Sequence, residues 1–282
     1  LSYSAFILSR VFYGLMFFLI VMLLRKSFKK IDPTDYPRFF LSGLFGVAIN
    51  QLMFFKGLEL TTPVNASLIM TNTPVLVIFL SFIMGAEAFG WRKMLGLLLG
   101  AFGAVLLITK GFRIEAFQEI NLGDLYVLIN ASAFALYLII SKPLLRKYSS
   151  IQVVAVVFAS GFLVVLPVGA ADFMKVDWSS FGLDIWLSFA FVLVFTTGFA
   201  YLLNAFALQK VNPSVVSIYI YLQPVIATSS GWWFGQNEIL PVHIYSACLI
   251  FTAVFLVSWN NQKKNRTKKE KKPLPEDSVA NT

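Results

Sequence analysis

The sequence predicts an all-α polytopic membrane protein built as an inverted repeat of five-helix units. Three observations lead to this prediction. The chain of 282 residues is 58% hydrophobic and 13% charged, whereas a soluble domain is about 45–50% apolar and about 25% charged. Long stretches free of Asp, Glu, Lys and Arg recur along the chain. The chain also aligns with itself at an offset of 150 residues, with Pro63 and Pro74 meeting Pro213 and Pro224.

The composition excludes several classes of function. One cysteine, Cys248, excludes a disulfide framework or a cysteine-based zinc site. One histidine, His243, excludes most histidine-ligated metal chemistry. The sequence also contains no Walker loop, no G-x-S-x-G motif and no H-E-x-x-H motif. We therefore expect neither an enzyme nor a bound cofactor or metal.

Nine stretches are long and apolar enough to cross a bilayer as helices, which requires about 20 residues each. The predicted spans are 3–25, 38–58, 63–86, 92–110, 123–143, 150–171, 184–208, 213–235 and 240–260. A membrane β-barrel is not expected, because its segments would alternate in polarity over about ten residues.

The distribution of basic residues predicts the orientation in the membrane. Of the 23 Lys and Arg residues, Arg10 and Lys56 lie within spans, Lys110, Arg113 and Lys175 lie in loops on one side, and the rest lie on the other side. Because Lys and Arg are enriched in cytoplasmic loops, we expect a cytoplasmic C-terminus in a bacterial inner membrane, which is the plasma membrane of such a cell.

The repeat is clearest in one helix of each half. Residues 63–74 have the sequence PVNASLIMTNTP and residues 213–224 have the sequence PSVVSIYIYLQP. The second repeat contains five predicted helices and the first contains four, since the partner of the helix at 123–143 would precede residue 1. We therefore expect that the full-length chain has ten spans and that the first of them is missing from this sequence.

An odd number of helices in each repeat places the two repeats in opposite orientations. We predict a first repeat at 1–118, an inverted second repeat at 119–262, and a basic, disordered cytoplasmic tail at 263–282. The tail is expected to contact membrane lipid and not nucleic acid, because it lacks a folded module that reads bases. Inverted repeats are typical of secondary transporters, which bind substrate near the midplane between the two halves.

These features together resemble the EamA-type permeases of the drug/metabolite transporter superfamily. The resemblance rests on the five-plus-five repeat, the Pro-x-x-x-Ser…Pro helix, Gly123-Asp124 at the start of the second repeat, and the segment GAEAFGWRKMLGLLLGAFG at 85–103. It implies ten helices, a central cavity and the export or import of small metabolites such as amino acids.

Polar side chains at helical spacing within the apolar spans predict a substrate cavity, because polar groups in a membrane face protein or water. The candidate substrate-binding residues are Asn50, Lys56, Asn72, Tyr137, Tyr201, Asn204 and Gln223. Hydrogen bonding between helices is the alternative role for such residues. The aromatic and amide content is typical of a site for an amphipathic small-molecule substrate, such as an amino acid or an aromatic compound.

Three charged residues within or near the spans allow two interpretations each. Lys56 either extends to the headgroups beside Glu59 or acts in the cavity, where it would attract a carboxylate or support proton coupling. Arg10 is expected to form a structural pair and not to contact substrate. Glu87 is expected to cap or orient the next helix and not to carry protons.

Proline and glycine positions predict where the helices bend and pack. Pro74 and Pro224 lie within equivalent spans and are predicted hinges, because proline removes a backbone hydrogen bond; a static kink is the alternative. Gly96, Gly100 and Gly103 form a small-residue face that predicts close packing against another helix, either of the same chain or of a second subunit in a homodimer.

The sequence therefore predicts a secondary transporter that exports or imports a small metabolite by alternating access, driven by a proton or ion gradient. A non-transporting helper subunit, a channel and a membrane-embedded lipid-modifying enzyme are the alternatives. The sequence shows no cluster of His, Asp and Glu on one helix face, which disfavours the enzyme.

Overall fold

The computed structural model of the protein describes residues 2–88, 90–109, 122–234 and 240–270. These residues are helical and contain no β-strand, which confirms the predicted all-α fold. Within them, eight helical segments are long and apolar enough to cross a membrane. The predicted boundary between the repeats at 118/119 and residues 271–282 of the predicted tail lie outside the described residues.

The helices are numbered in chain order, as follows: α1 (Tyr3–Leu24), α2 (Tyr36–Gly43), α3 (Asn50–Leu60), α4 (Pro63–Met70), α5 (Thr73–Ile83), α6 (Trp91–Ile108), α7 (Leu122–Lys147), α8 (Ser150–Met174), α9 (Leu183–Phe191), α10 (Ala200–Lys210), α11 (Pro213–Ile218), α12 (Leu222–Trp233) and α13 (Pro241–Glu270). Helix α13 thus continues into the segment that was predicted as a tail. Short 3-10 turns lie at Pro33–Asp35, Trp178–Ser180 and Tyr219–Tyr221.

Two long membrane segments contain a π-helical stretch at equivalent positions of the two repeats. The stretch Leu44–Ile49 joins α2 to α3, and the stretch Val192–Phe199 joins α9 to α10. Each stretch ends one residue before the following α-helix, at positions separated by the offset of 150 residues. A π-helical stretch is rare and costs regular hydrogen bonding, and its recurrence at the same offset is what the predicted internal repeat implies.

The helices that follow these segments are broken in both repeats. The predicted span at 63–86 consists of α4 and α5, separated by a turn at Thr71 and Asn72. The predicted span at 213–235 consists of α11, the turn Tyr219–Tyr221 and α12, and its residue 235 lies outside the described residues. This predicted span is therefore helical in short pieces and is not one of the eight long segments.

The sequence predicts that Pro74 and Pro224 lie inside continuous helices, but the structure places each of them just after a break. Pro74 is in the first two residues of α5, where its missing N–H costs no intrahelical hydrogen bond. Pro224 is the third residue of α12, directly after the 3-10 turn. Each proline thus lies in the first turn of a helix that follows a break.

Equivalent helices of the two repeats pack against each other. Helix α1 packs along α8, and α6 packs along α13, while α7 lies against α3 and α5. The small-residue face on α6 makes the second of these contacts possible, because a Cβ at Gly96 would lie 2.7 Å from Val257 Cγ2 and 3.0 Å from the Ala253 carbonyl oxygen. The partner of this glycine face is therefore α13 of the same chain.

The α9–α10 segment is far more exposed than its equivalent in the first repeat. In the segment Leu183–Lys210, 11% of the residues in an apolar stretch of 18 residues are buried. In Pro33–Leu60, which has the same length, the corresponding share is 44%. Helix α3 packs along α7, and the described residues contain no helix that covers α10 in the same way. Most of the exposed side chains of α9–α10 are apolar, and they include Leu187, Phe191, Phe195 and Leu203. This face therefore lies against hydrocarbon or another membrane helix.

We expect the substitution Gly96→Leu to destabilise the protein by about 1–3 kcal/mol, because overpacking would force α6 away from α13. Leu98→Phe on the exposed side of the same helix is the control, since Leu98 is 59% exposed. Thermal unfolding in detergent, followed by size-exclusion chromatography, measures both variants. Equal midpoints for the two variants would show that α6 and α13 do not pack as closely as described.

Candidate functional site

A cavity of about 360 Å³ lies where the two repeats meet. Its volume is within the range of about 300–1,000 Å³ that is usual for small-molecule sites. Its polar lining consists of Arg10, Asn50, Gln51, Asn130, Tyr137, Tyr201, Asn204, Tyr219 and Gln223, and its apolar lining consists of Phe54, Phe55, Met70, Phe134, Ala200, Val216 and Ile220.

Positions related by the repeat face each other across this cavity. Asn50 and Ala200, Phe54 and Asn204, and Met70 and Ile220 all line it, and the two residues of each pair differ by the repeat offset. The equivalent residues Gln51 and Tyr201 touch, since Gln51 Nε2 donates a hydrogen bond to the Tyr201 hydroxyl at 3.2 Å. Equivalent residues meet only close to the axis that relates the repeats, so the cavity lies on that axis.

Five of the candidate residues from the sequence lie in the cavity lining, namely Asn50, Tyr137, Tyr201, Asn204 and Gln223. Among the described residues, the lining does not include Lys56 or Asn72. The Lys56 ammonium lies 3.1 Å from Glu59 Oε2 and 5.0 Å from the centre of the Tyr3 ring. Asn72 lies in the turn between α4 and α5, where its amide donates to the Ile69 carbonyl at 3.3 Å.

The π-helical stretch in the first repeat shapes one wall of the cavity. The Tyr201 hydroxyl donates to the carbonyl of Gly46, within the π-helical stretch Leu44–Ile49, at 3.1 Å. The Tyr137 ring lies directly against Gly46, where any Cβ would collide with it. Gly46 thus allows two aromatic side chains from the second repeat to pack on the backbone of the first.

Amide side chains connect α3 to α7 beside the cavity. The Asn130 amide nitrogen donates to the Asn50 carbonyl at 2.6 Å. The Asn130 Oδ1 and Gln51 Oε1 atoms have no hydrogen-bond partner among the described residues, although both side chains are at most 3% exposed. A buried acceptor without a partner is costly. A rearrangement that gives these two amide oxygens a hydrogen-bond donor would therefore be favourable.

Arg10 also lines the cavity, a placement that the sequence interpretation missed. Its Nε donates to the Thr197 hydroxyl at 2.6 Å and its Nη2 donates to the Thr196 carbonyl at 3.1 Å. Both threonines belong to the π-helical stretch Val192–Phe199. The expected structural partners are therefore present, but they leave the guanidinium at the cavity wall. Its charge within an apolar span was the feature of the sequence that pointed to it.

Most of the basic residues lie in the loops at one end of the bundle. We call this end the basic end. Here the Lys142 ammonium donates to the carbonyls of Leu208, Gln209 and Val211, at the C-terminus of α10. This contact satisfies carbonyls that the helix itself cannot pair, and the positive charge is favourable at a helix C-terminus.

Asp35 forms a second polar contact at the basic end. It is buried and accepts hydrogen bonds from the Lys147 ammonium and the Tyr148 hydroxyl, each at 2.9 Å. Since Asp35 belongs to the first repeat and Lys147 and Tyr148 to the second, this contact holds the two repeats together.

Glu87 forms a third contact, which also joins the repeats. Its carboxylate pairs with Lys93 and accepts hydrogen bonds from the backbone N–H (2.9 Å) and the hydroxyl (2.5 Å) of Ser214. Ser214 lies in the first turn of α11, whose N-cap residue Asn212 makes no side-chain cap. The expected capping role of Glu87 is thus found, but the capped helix belongs to the other repeat.

The cavity continues toward the other end of the bundle, which we call the opposite end. A second cavity of about 320 Å³ shares Phe54, Met70, Ile220 and Gln223 with the first. It extends between α4 and α12 to Leu58, Pro63 and Ile108, which lie near the opposite end. The path from the central cavity is therefore lined mainly by apolar residues toward the opposite end, and polar contacts cross it at the basic end.

An all-α polytopic fold with a polar cavity between two homologous halves defines a membrane transporter. The chain belongs to the EamA-like transporter family, whose model matches residues 1–109 and 121–259. These two matches correspond to the two repeats, and they confirm the family resemblance of the sequence.

Similar proteins support this class. The chain is 24% identical over 243 residues to the uncharacterized transporter YyaM of Bacillus subtilis, a match that covers 85% of this chain and 79% of YyaM. It is 22% identical over 265 residues to a WAT1-related protein of Arabidopsis thaliana, covering 85% of this chain and 69% of that protein. A solved crystal structure has the same fold, with a TM-score of 0.72 and 18% identity over 93% of this chain and 88% of the other.

Thiol labelling tests the shape of the cavity, because Cys248 is the one cysteine of the chain. In a Cys248→Ser background, we expect a membrane-impermeant thiol reagent to label Gln223→Cys when it is added at the opposite end but not when it is added at the basic end. The exposed Lys26→Cys marks the basic end, and Ala253→Cys, buried between α6 and α13, is the unlabelled control. Labelling of Gln223→Cys from the basic end alone would contradict the described path.

Proposed function

We propose that the protein is a secondary transporter that moves a small amphipathic metabolite across the membrane by alternating access. The observation that supports the proposal most directly is the polar and aromatic cavity of about 360 Å³ on the axis between two homologous halves. This is where inverted-repeat transporters bind their substrates. Asn50, Tyr137, Tyr201, Asn204 and Gln223 are its proposed substrate-binding residues.

The basic residues support an orientation for the proposed transporter. Because Lys and Arg are enriched in cytoplasmic loops, we place the basic end and the C-terminus in the cytoplasm of a bacterial-type plasma membrane. The central cavity continues toward the opposite end, so in this orientation the described conformation faces outward.

Alternating access requires that the contacts at the basic end open while the path at the opposite end closes. Glu87–Ser214 and Asp35–Lys147 join the two repeats, so these contacts must break in an inward-facing state. The helix breaks at Thr71–Asn72 and Tyr219–Tyr221, next to Pro74 and Pro224, are the proposed hinges. We take a proton or ion gradient as the energy source, since the sequence has no nucleotide-binding motif.

Untargeted mass spectrometry of the culture medium tests the function as a whole. Cells that carry the intact gene are compared with cells that lack it, and uptake of labelled metabolites is measured in parallel. Accumulation or depletion of one class of small metabolite supports a transporter. Unchanged medium together with unchanged uptake contradicts it, and transport that appears only with a second protein indicates a helper subunit.

For a transported metabolite found in this way, we expect Tyr201→Ala to reduce the transport rate by about tenfold or more, since each 1.4 kcal/mol of lost binding is a factor of ten. The Tyr201 hydroxyl bridges Gln51 and Gly46 on the cavity wall. Tyr245→Ala is the matched control, because Tyr245 is 68% exposed on α13. Initial rates at equal protein levels provide the comparison, and equal rates for the two variants would remove Tyr201 from the binding site.

We expect Glu87→Ala to favour the inward-facing state, because it removes both the Lys93 pair and the cap on α11. Labelling of Gln223→Cys from the basic end should then rise by about tenfold. This corresponds to a shift of about 1.4 kcal/mol in the free energy between the two states. Glu59→Ala, which removes an exposed pair with Lys56, is the matched control. A labelling rate in Glu87→Ala equal to that of the control would show that Glu87 does not hold the basic end closed.

A further inference from the structure

Arg10 gives the cavity its charge. It is the one charged residue in the lining among the residues that the structure describes. The ion pairs found in the same part of the chain involve Asp35, Glu59 and Glu87, and none of them includes Arg10. Within the part of the chain that the structure describes, the cavity therefore contains a cation that no carboxylate neutralises.

An unneutralised arginine within a membrane span is costly and is typically retained for function. The two threonine contacts hold the guanidinium but do not neutralise it, because a hydroxyl and a backbone carbonyl carry no net charge. They use two of the five N–H donors that a guanidinium offers. The remaining donors form a planar fork, whose best partner is a carboxylate bound through both oxygens.

The surroundings of Arg10 are suited to the rest of such a ligand. The Phe55 ring centre lies 6.0 Å from Arg10 Cζ, and Phe54, Phe134, Tyr137 and Tyr201 line the same cavity. Aromatic side chains supply a large apolar contact area to a ring or an alkyl chain. The cavity thus combines a single positive group with an aromatic wall, an arrangement that is complementary to an amphipathic anion.

We propose that the transported metabolite is an organic carboxylate, whose carboxylate group pairs with Arg10 and whose apolar body packs on the aromatic wall. This inference rests on the proposed transport function and adds the charge class of the substrate. The paired carboxylate neutralises Arg10 when substrate is bound, so the loaded cavity has no net charge from this pair. An organic cation of the same size finds no carboxylate in the described lining and is repelled by Arg10.

Three probes with the same phenylalkyl body isolate the charge. We would measure the binding of 3-phenylpropionate, the neutral 3-phenylpropanamide and the cationic phenethylamine to the purified protein by calorimetry. Wild-type protein should bind the acid at least about tenfold more tightly than the amide, as expected for a charge-assisted bidentate pair. The amine should bind more weakly than the amide.

The variants Arg10→Gln and Arg10→Lys show whether this preference comes from Arg10. Arg10→Gln should bind the acid and the amide equally, and a thermal unfolding midpoint close to that of the wild type shows that this variant is still folded. Arg10→Lys should keep part of the preference, because it keeps the charge but loses the planar fork. Lys175→Gln, an exposed cation outside the cavity, is the control and should keep the full preference.

Two results would overturn the proposal: wild-type protein that binds the acid no better than the amide, or Arg10→Gln that keeps the preference. Failure of all three probes to bind would also overturn it for carboxylates with this body. The metabolite comparison separates this failure from failure of the transport function. If the intact gene changes only cationic or uncharged metabolites in the medium, transport stands and the carboxylate assignment falls.

Discussion

The structure depends on one constraint, which is that a backbone polar group inside a membrane must find its partner within the protein. Regular helices satisfy this constraint without help, and they make up most of the described chain. Irregular backbone needs side chains to take over. The Gly46 carbonyl accepts from the Tyr201 hydroxyl, and the Thr196 carbonyl accepts from the Arg10 guanidinium. The side chains that stabilise the irregular segments are the same ones that line the cavity, so the fold and the site have a common origin.

The predicted repeat accounts for the pairing of these irregular segments, and differences between equivalent side chains account for the uneven charge of the cavity lining. The two π-helical stretches and the two broken helices keep equivalent positions, which preserves the space between the repeats. The side chains at equivalent positions differ. Arg10 corresponds to Ser160, whose hydroxyl bonds within its own helix to the Val156 carbonyl, so the cavity receives a cation from one repeat alone. The cavity thus has an asymmetric lining although it lies between two similar halves.

The sequence was sufficient to predict the all-α fold, the membrane segments and much of the cavity lining. The length of the apolar stretches predicts the spans. The helical spacing of polar side chains predicts that Tyr201, Asn204 and Tyr137 line the cavity, as they do. Lys56 is a candidate because a charge in an apolar span is costly. It lies six residues after Asn50, however, and therefore on a different face of a helix with 3.6 residues per turn. Its ammonium lies beside Glu59 at an exposed position instead.

The remaining differences arise where the chain departs from a regular helix. Asn72 falls in the break between α4 and α5, where helical spacing no longer determines which way a side chain faces. The π-helical stretches shift the helical phase in the same way, and no propensity in the sequence marks them. The placement of Arg10 depends on which helices surround α1, and its contact with Thr197 joins residues that are far apart in the chain. Such contacts follow from the packing of the two repeats and not from any local pattern.

The two ends of the cavity differ in the kind of contact that closes them, and this difference bears on how the protein changes conformation. The basic end is held by buried charged groups, and removal of one member of such a pair is strongly destabilising. The opposite end is lined by apolar residues such as Leu58, Ala66, Met70 and Ala227, which can come together without breaking an ion pair. Closure of the opposite end removes this apolar lining from water, which the hydrophobic effect favours. The polar contacts at the basic end oppose such a change of conformation, and a bound solute that neutralises Arg10 reduces the electrostatic cost of enclosing the cavity from both ends.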